Sequence, residues 1–373
     1  MKLPFMPRLV LALAIAGMTM ISAHAVTINW VTVGDPGNTA DTTTYGAVAD
    51  AFKIMKYEWT NAQYVDFLNA VDPDGLNPQG IYNAFMGSDA RGGISFTSGN
   101  AAGSKYAART NMGDKPVNYV NWFDAARVAN WLHNGGLTYG TTGTTASAPQ
   151  NTGAYTLGTA TSGTAFTRNL GAQYYIPTED QWYKAAYYKG GGTNAGYWDY
   201  ATQSDTAPTA VTAGSTGIGS AGNSGNFANF LSVADWNSQN GNVTTVGTNG
   251  GQSAYGAFDM GGNVWEWNDL TGAADSSRGF RGGGWSNSAY SLSPSDRGVS
   301  LPFSEASNHG FRLAAVPEPS TCVMALAGLA CGGYSMWRRR KRASREPANV
   351  ISTGGEQVAI TGLLPSVFSR PSQ

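Results

Sequence analysis

The residues best suited to chemistry lie late in this 373-residue chain. Gly261-Gly262-Asn263-Val264-Trp265-Glu266-Trp267 sets one carboxylate beside carbonyls that the glycines free from regular pairing, while the tryptophans supply large area to bury. Such a combination suits a rigid loop stapled by an ion. Arg281-Gly282-Gly283-Gly284-Trp285 and Gly310-Phe311-Arg312 follow. Sulfur is missing from all of this: Cys322 and Cys331, the only cysteines, both fall in a C-terminal apolar run. The region before that run therefore has no disulfide, no thiolate metal ligand and no cysteine nucleophile.

Other catalytic patterns are weaker. Asp269, Asp275 and Glu305 show no spacing that poises a pair for glycoside hydrolysis. Ser286 and His309 lack a nucleophile-elbow phrase, and Gly282-Gly283-Gly284 has neither a Walker lysine nor a strand-glycine-helix unit. His133 ends a helical pattern, where a protonated ring would meet the terminal carbonyls. Aromatic residues give a more positive signal. Trp265, Trp267, Trp285, Tyr290 and Phe303, flanked by Arg281, Asn287, Arg297 and Asn308, suit either core packing or the binding of a sugar or peptide.

Three helices should position these groups. Thr60 with Gln63 forms a capping box ahead of Tyr64, Phe67, Leu68 and Val71. Asn121 caps a stripe of Trp122, Ala125, Ala126, Ala129 and Leu132 that ends at Asn134-Gly135-Gly136. Thr178 and Gln181 repeat the box before Trp182, Ala185 and Ala186. Short β-prone runs span 28–33, 48–55, 172–176, 243–246 and 311–315. Stretches 138–167 and 202–225, rich in Thr, Ser, Gly and Ala, read as exposed insertions, either idle or glycan- or partner-binding. Separated helices among short strands predict one α+β domain over residues 26–315.

The ends carry targeting signals. Lys2 and Arg8, an apolar run and Ala23-His24-Ala25 predict a signal peptide over 1–25. Val316-Pro317-Glu318-Pro319-Ser320, the apolar run 321–337 and Arg338-Arg339-Arg340-Lys341-Arg342 resemble the PEP-CTERM sorting signal read by exosortases. The basic block would stay cytoplasmic, and the glycine-bearing run suits a transient membrane association. A tail, 343–373, extends past it without a readable role. With 13% charged residues and a net charge of −1, the chain offers no electrostatic footprint for nucleic acid.

Several phrases occur in the order shown by the formylglycine-generating enzyme, or sulfatase-modifying factor, family. Tyr57-Glu58-Trp59-Thr60-Asn61-Ala62-Gln63-Tyr64 resembles its opening helix, and Lys115-Pro116-Val117 through Asn121-Trp122-Phe123-Asp124-Ala125 resembles its "P-V-x-x-V-S-W-x-D-A" segment. Tyr175-Ile176-Pro177-Thr178-Glu179-Asp180-Gln181-Trp182 is similar to "R-L-P-T-E-A-E-W", and the glycine-tryptophan phrase completes the set. The resemblance implies a C-type-lectin-like fold rich in irregular loops. It implies Ca²⁺ held by the Asp259 and Glu266 side chains and the Gly262 and Val264 carbonyls, with a second site beginning at Asn229 and the Phe230 carbonyl.

The same resemblance makes copper an unfitting cofactor. The family oxidase binds copper through two cysteines and uses a nearby serine; the serine position here is Gly284, and the cysteine positions are Asn287 and Leu292. None supplies the soft donor that copper(I) requires. A related iron-dependent branch needs more histidines than His133 and His309. The expected function is an exported, non-catalytic, calcium-stabilised protein of the cell envelope or matrix, binding a polysaccharide, peptide or matrix ligand through a groove at Arg281, Trp285, Asn287 and His309. The alternatives are an enzyme of the family with an altered metal site or different oxidative chemistry, and a purely structural envelope component.

Overall fold

A computed structural model describes residues 26–136, 149–164 and 166–317, and beyond them Tyr334, Trp337 and Arg338. The expected signal peptide, the start of the first insertion, the tail and all but those three residues of the sorting segment past Pro317 lie outside the described residues. Two units divide at Pro317, and the first holds the candidate site. Among the described residues no helix is long and apolar enough to cross a membrane.

Helices form where their caps stand. Helices α1 (Asn61–Val71), α2 (Phe85–Ser88), α3 (Trp122–His133) and α4 (Glu179–Tyr187) include the three expected ones, and Thr60, Asn121 and Thr178 each close a reciprocal capping box. In α3 the third residue is Asp124, whose carboxylate accepts from the Asn121 N–H at 2.9 Å. Each box satisfies amide donors that the first helical turn leaves unpaired. His133 turns to another segment, its Nδ1 accepting from the Gln173 N–H at 3.2 Å. Asn134 holds that end instead, donating to the Asn130, Pro149 and Thr152 carbonyls.

Strands are short, and two four-stranded sheets carry the architecture. Strands β1 (Trp30–Val33) and β2 (Phe52–Met55) pair antiparallel; β3 (Ile94–Phe96) and β4 (Tyr106–Ala108) form a separate hairpin; β5 (Tyr174–Tyr175), β6 (Thr209–Ala210) and β7 (Phe227–Ala228) follow. Later come β8 (Trp265–Asn268), β9 (Arg278–Arg281), β10 (Gly298–Ser300), β11 (His309–Gly310) and β12 (Ala314–Ala315). One sheet runs β1-β2-β12-β5 and the other β10-β9-β8-β11, while β6 and β7 pair parallel. The mixture is α+β, as expected. Trp59, Trp122, Trp131, Trp182 and Trp267 are fully buried around these elements, so most of the indole area serves the core.

Three expectations need correction. The β-branched run 243–246 is a loop, because its amides donate outward: Thr244 to Asn263 Oδ1, Thr245 to the Gly217 carbonyl and Val246 to the Asp114 carbonyl. The described part of the first insertion is not idle, for Ala154, Tyr155 and Leu157 are buried and the buried Arg127 donates to the carbonyls of Gly158 and Ala160. The second insertion is pinned as well, by β6 on β7 and by bridges Ala213 to Gly219 and Gly222 to Asn249.

Candidate functional site

The glycine-tryptophan phrase leads into strand β8, and backbone bonds gather distant segments around it. Gly262 N–H donates to the Gly282 carbonyl, Asn263 N–H to that of Asn229, Trp265 N–H to that of Asn308, and Trp285 N–H to that of Asn263, all at 2.7–2.8 Å. Gly262 has φ +88°, and an added β-carbon would run into the Asn229 carbonyl. Glycine is required there on both counts. Asp259 and Asn263 also hold positive φ, at 55° and 63°. Two non-glycine residues in this rare region mark a loop whose shape the surrounding bonds dictate.

Glu266 is fully engaged. Arg312 reaches it with two bonds, Nε to Oε2 and Nη2 to Oε1, both at 2.6 Å, and Trp182 Nε1 donates to Oε2 at 2.7 Å. Arg312 is 0% exposed and donates further to the Met55 and Phe258 carbonyls, so the pair is buried and satisfied. Asp259 accepts from the Gly247 N–H and, at 3.0 Å, from Asn249 Nδ2. Both carboxylates expected to hold calcium are thus bonded to protein donors.

Beside them lies an acid that sequence reasoning did not assign to the site. Glu58 is buried, and its pKa stands well above the usual range because of burial first and then the negative charges of Asp259 and Glu266. Its Oε2 accepts from Asn263 Nδ2 at 3.0 Å, while Oε1 has no hydrogen-bond partner. Asn229 mirrors this. Its Nδ2 donates to Asn263 Oδ1 at 3.1 Å and to Thr244 Oγ1 at 3.0 Å, and its Oδ1 is buried without a partner. Unpaired buried acceptors are uncommon, and hard oxygens of this kind suit a calcium ion. As donors, both of these unpaired oxygens fit calcium. Among the described residues no three His, Cys, Asp or Glu side chains converge as a metal cage.

The expected groove residues differ in how they are held. Trp285 is 8% exposed, its Nε1 directed at the Ser307 carbonyl at 3.3 Å, with the Arg91 guanidinium 4.4 Å above the ring. Asn287 is half-buried; its Oδ1 accepts from Trp265 Nε1 at 2.9 Å and from Gly284 N–H at 3.0 Å. His309 packs 4.3 Å from Phe280, and burial pulls its pKa down to about 4. Arg281 is 1% exposed and paired with Glu179, Nε to Oε1 at 2.9 Å, which places it inside the molecule.

Copper does not fit here. Leu292 is 1% exposed and packs with Ala228 and Phe230 in an apolar cluster, and the Asn287 oxygen is taken by Trp265 and Gly284. The three positions offer no soft donor.

Residues 27–316 match the model of the sulfatase-modifying factor enzyme 1-like domain. The chain belongs to that family. Residues 315–341 match the PEP-CTERM protein-sorting motif, which implies export to the cell envelope or surface and recognition by exosortase-type machinery. No curated protein matches the sequence. Among solved structures, CarF is 22% identical over 78% of this chain and 99% of its own, with a TM-score of 0.46. Variable protein 1 of Treponema denticola is 19% identical over 79% and 98%, with a TM-score of 0.42. PvdO from Pseudomonas aeruginosa is 18% identical over 78% and 92%, with a TM-score of 0.38.

Two signals pointed to the residues that sequence reasoning missed. Glu58 is an acid inside the run Ile54-Met55-Lys56-Tyr57-Glu58-Trp59, and Arg312 is a cation between Phe311 and Leu313. A charge within an apolar stretch demands a buried partner.

Proposed function

We propose that this family member is a pseudoenzyme: an exported protein that binds a ligand in the envelope or matrix and performs no oxidation. The chief support is the fate of the oxidase positions, since Gly284 lies in a tight turn closed by Asn287, and Leu292 belongs to the core. A thiol would have to be added, and the apolar cluster opened, before a copper ion had ligands. What the domain keeps is scaffold: the Glu266–Arg312 pair, the Trp182 bond and the backbone bonds that fix the loops. The family's C-type-lectin-like arrangement suits such a use, because rigid irregular loops present side chains without a catalytic centre.

Calcium belongs to the same proposal. Asn229 Oδ1 and Glu58 Oε1 are its side-chain donors, with the Phe230, Gly262 and Val264 carbonyls as backbone donors. When bound, the ion supplies charge that offsets the buried acids and fixes the loop. Asp259 and Glu266 would act through these residues, by holding Asn249 and Arg312 in place. Metal analysis of the exported protein, with oxygen uptake on a thiol peptide, tests the proposal. Calcium without copper or iron, and no uptake, is the expected result; stoichiometric copper or iron with turnover contradicts it.

A further inference from the structure

The insertion 202–225 builds one wall of a cleft. Asn226 ties it together: Nδ2 donates to Ser204 Oγ at 3.0 Å and to the Thr206 carbonyl at 2.9 Å, and Oδ1 accepts from Thr202 Oγ1 at 2.6 Å. Between this wall and the segment carrying Lys56 and Phe258 lies an open cleft of about 620 Å³. That volume falls within the roughly 300–1,000 Å³ of small-ligand sites. Phe258 stacks on Tyr57 with centroids 5.6 Å apart, and Lys56 Nζ sits 5.3 and 5.5 Å from the Phe258 and Tyr57 rings.

The lining has a distinct chemistry. Gln203, Asn223 and Gln252 are exposed along it. Gln203 Nε2 is anchored on the Gln252 carbonyl at 3.0 Å, which leaves Oε1 as an acceptor. Each side-chain amide offers both donors and an acceptor, the complement of a hydroxyl-rich ligand. Among the described residues the lining contains no carboxylate, and Lys56 is its one charged group. A single ammonium amid neutral amides favours an anion, yet it is too little charge for a nucleic-acid backbone.

We propose that this cleft binds an acidic sugar, with the carboxylate or sulfate at Lys56 Nζ and the ring hydroxyls at Gln203, Asn223 and Gln252. The assignment rests on reading the protein as an envelope binding protein, and it places recognition at the insertion. The Lys56 backbone makes the hydrogen bonds to the fold, its carbonyl accepting from Phe258 N–H at 2.8 Å, while its side chain only rests on the two rings. Replacing the side chain should therefore spare folding.

Calorimetric titration of the full exported protein tests the proposal, with a tetragalacturonate, a sulfated tetrasaccharide and a neutral maltotetraose as probes. Binding of either acidic probe, weakened roughly tenfold or more by Lys56→Gln, and also weakened by Gln203→Ala and by added salt, supports it. Preference between the two acidic probes identifies carboxylate or sulfate as the anion. Equal binding of maltotetraose overturns it, as does no binding of any probe. Acidic-sugar binding that survives Lys56→Gln and Gln203→Ala, in variants whose melting midpoints match the parent, also overturns the cleft assignment while leaving the binding reading intact. Oxidation of a thiol peptide would overturn that broader reading instead.

Discussion

Arg312 is the residue on which the buried acids around β8 depend. Replacing it with Met leaves Glu266 without its cation, close to Glu58 and Asp259, in a site that water does not reach. Breaking one partner of a buried pair costs about 3–5 kcal/mol, and urea unfolding of Arg312→Met should show a loss of that size. Adding Glu266→Gln should return part of it, whereas a single-variant loss below about 1 kcal/mol contradicts the assignment. His309 gives a pH test. Unfolded, its ring titrates at about 6.5; folded, burial beside Phe280 holds it at about 4. Below about 6.5 the unfolded chain takes up a proton that the folded chain refuses, so the contribution is full above that pH and lost as pH falls toward 4. It amounts to roughly 3 kcal/mol. The stability difference between parent and His309→Phe should shrink by about that amount between pH 7 and 4, and a flat difference would refute it.

At the level of elements, the caps and one glycine make sharp tests. Thr178→Ala removes the acceptor for the Gln181 N–H and should cost about 0.5–2 kcal/mol in thermal or urea unfolding. Gly262→Ala should cost more, since it combines an unfavourable φ with a clash on the Asn229 carbonyl, and a neutral outcome would mean the loop relaxes freely. The helices were legible in the sequence because their grammar is local: Thr60 with Gln63 and Thr178 with Gln181 stand one turn apart. Strands β8 to β10 were not. Arg278-Gly279-Phe280-Arg281 carries two charges and a glycine, and it becomes a buried strand only because Asp269 and Glu179 neutralise the arginines from elsewhere in the chain. The candidate calcium site was half legible. Asn229 lies near the expected phrases, but Glu58 joins it through Asn263, which is 205 positions away. Arg281 was read as lining a groove, yet Glu179, 102 positions earlier in the chain, holds it inside the molecule.

For the whole molecule, calcium and export meet in one account. An ion that binds only the folded state stabilises it by about 2.7 kcal/mol at a concentration a hundred times its Kd. Calcium should therefore raise the melting midpoint of the exported protein, a chelator should reverse the rise, and Asn229→Ala should abolish it. A midpoint indifferent to calcium would remove the ion from the account. The sorting motif implies delivery to the envelope or surface, where a stable binding module has use without turnover. The absence of a thiol before the sorting segment is a property of the sequence itself, and it bears on the central claim more than any other feature. Incubating the full exported protein with copper, oxygen and a sulfatase-derived cysteine peptide, and measuring the peptide aldehyde by mass spectrometry, tests that claim most directly. The account predicts unmodified peptide after many multiples of the time a family oxidase needs, and catalytic conversion of cysteine to formylglycine would contradict it.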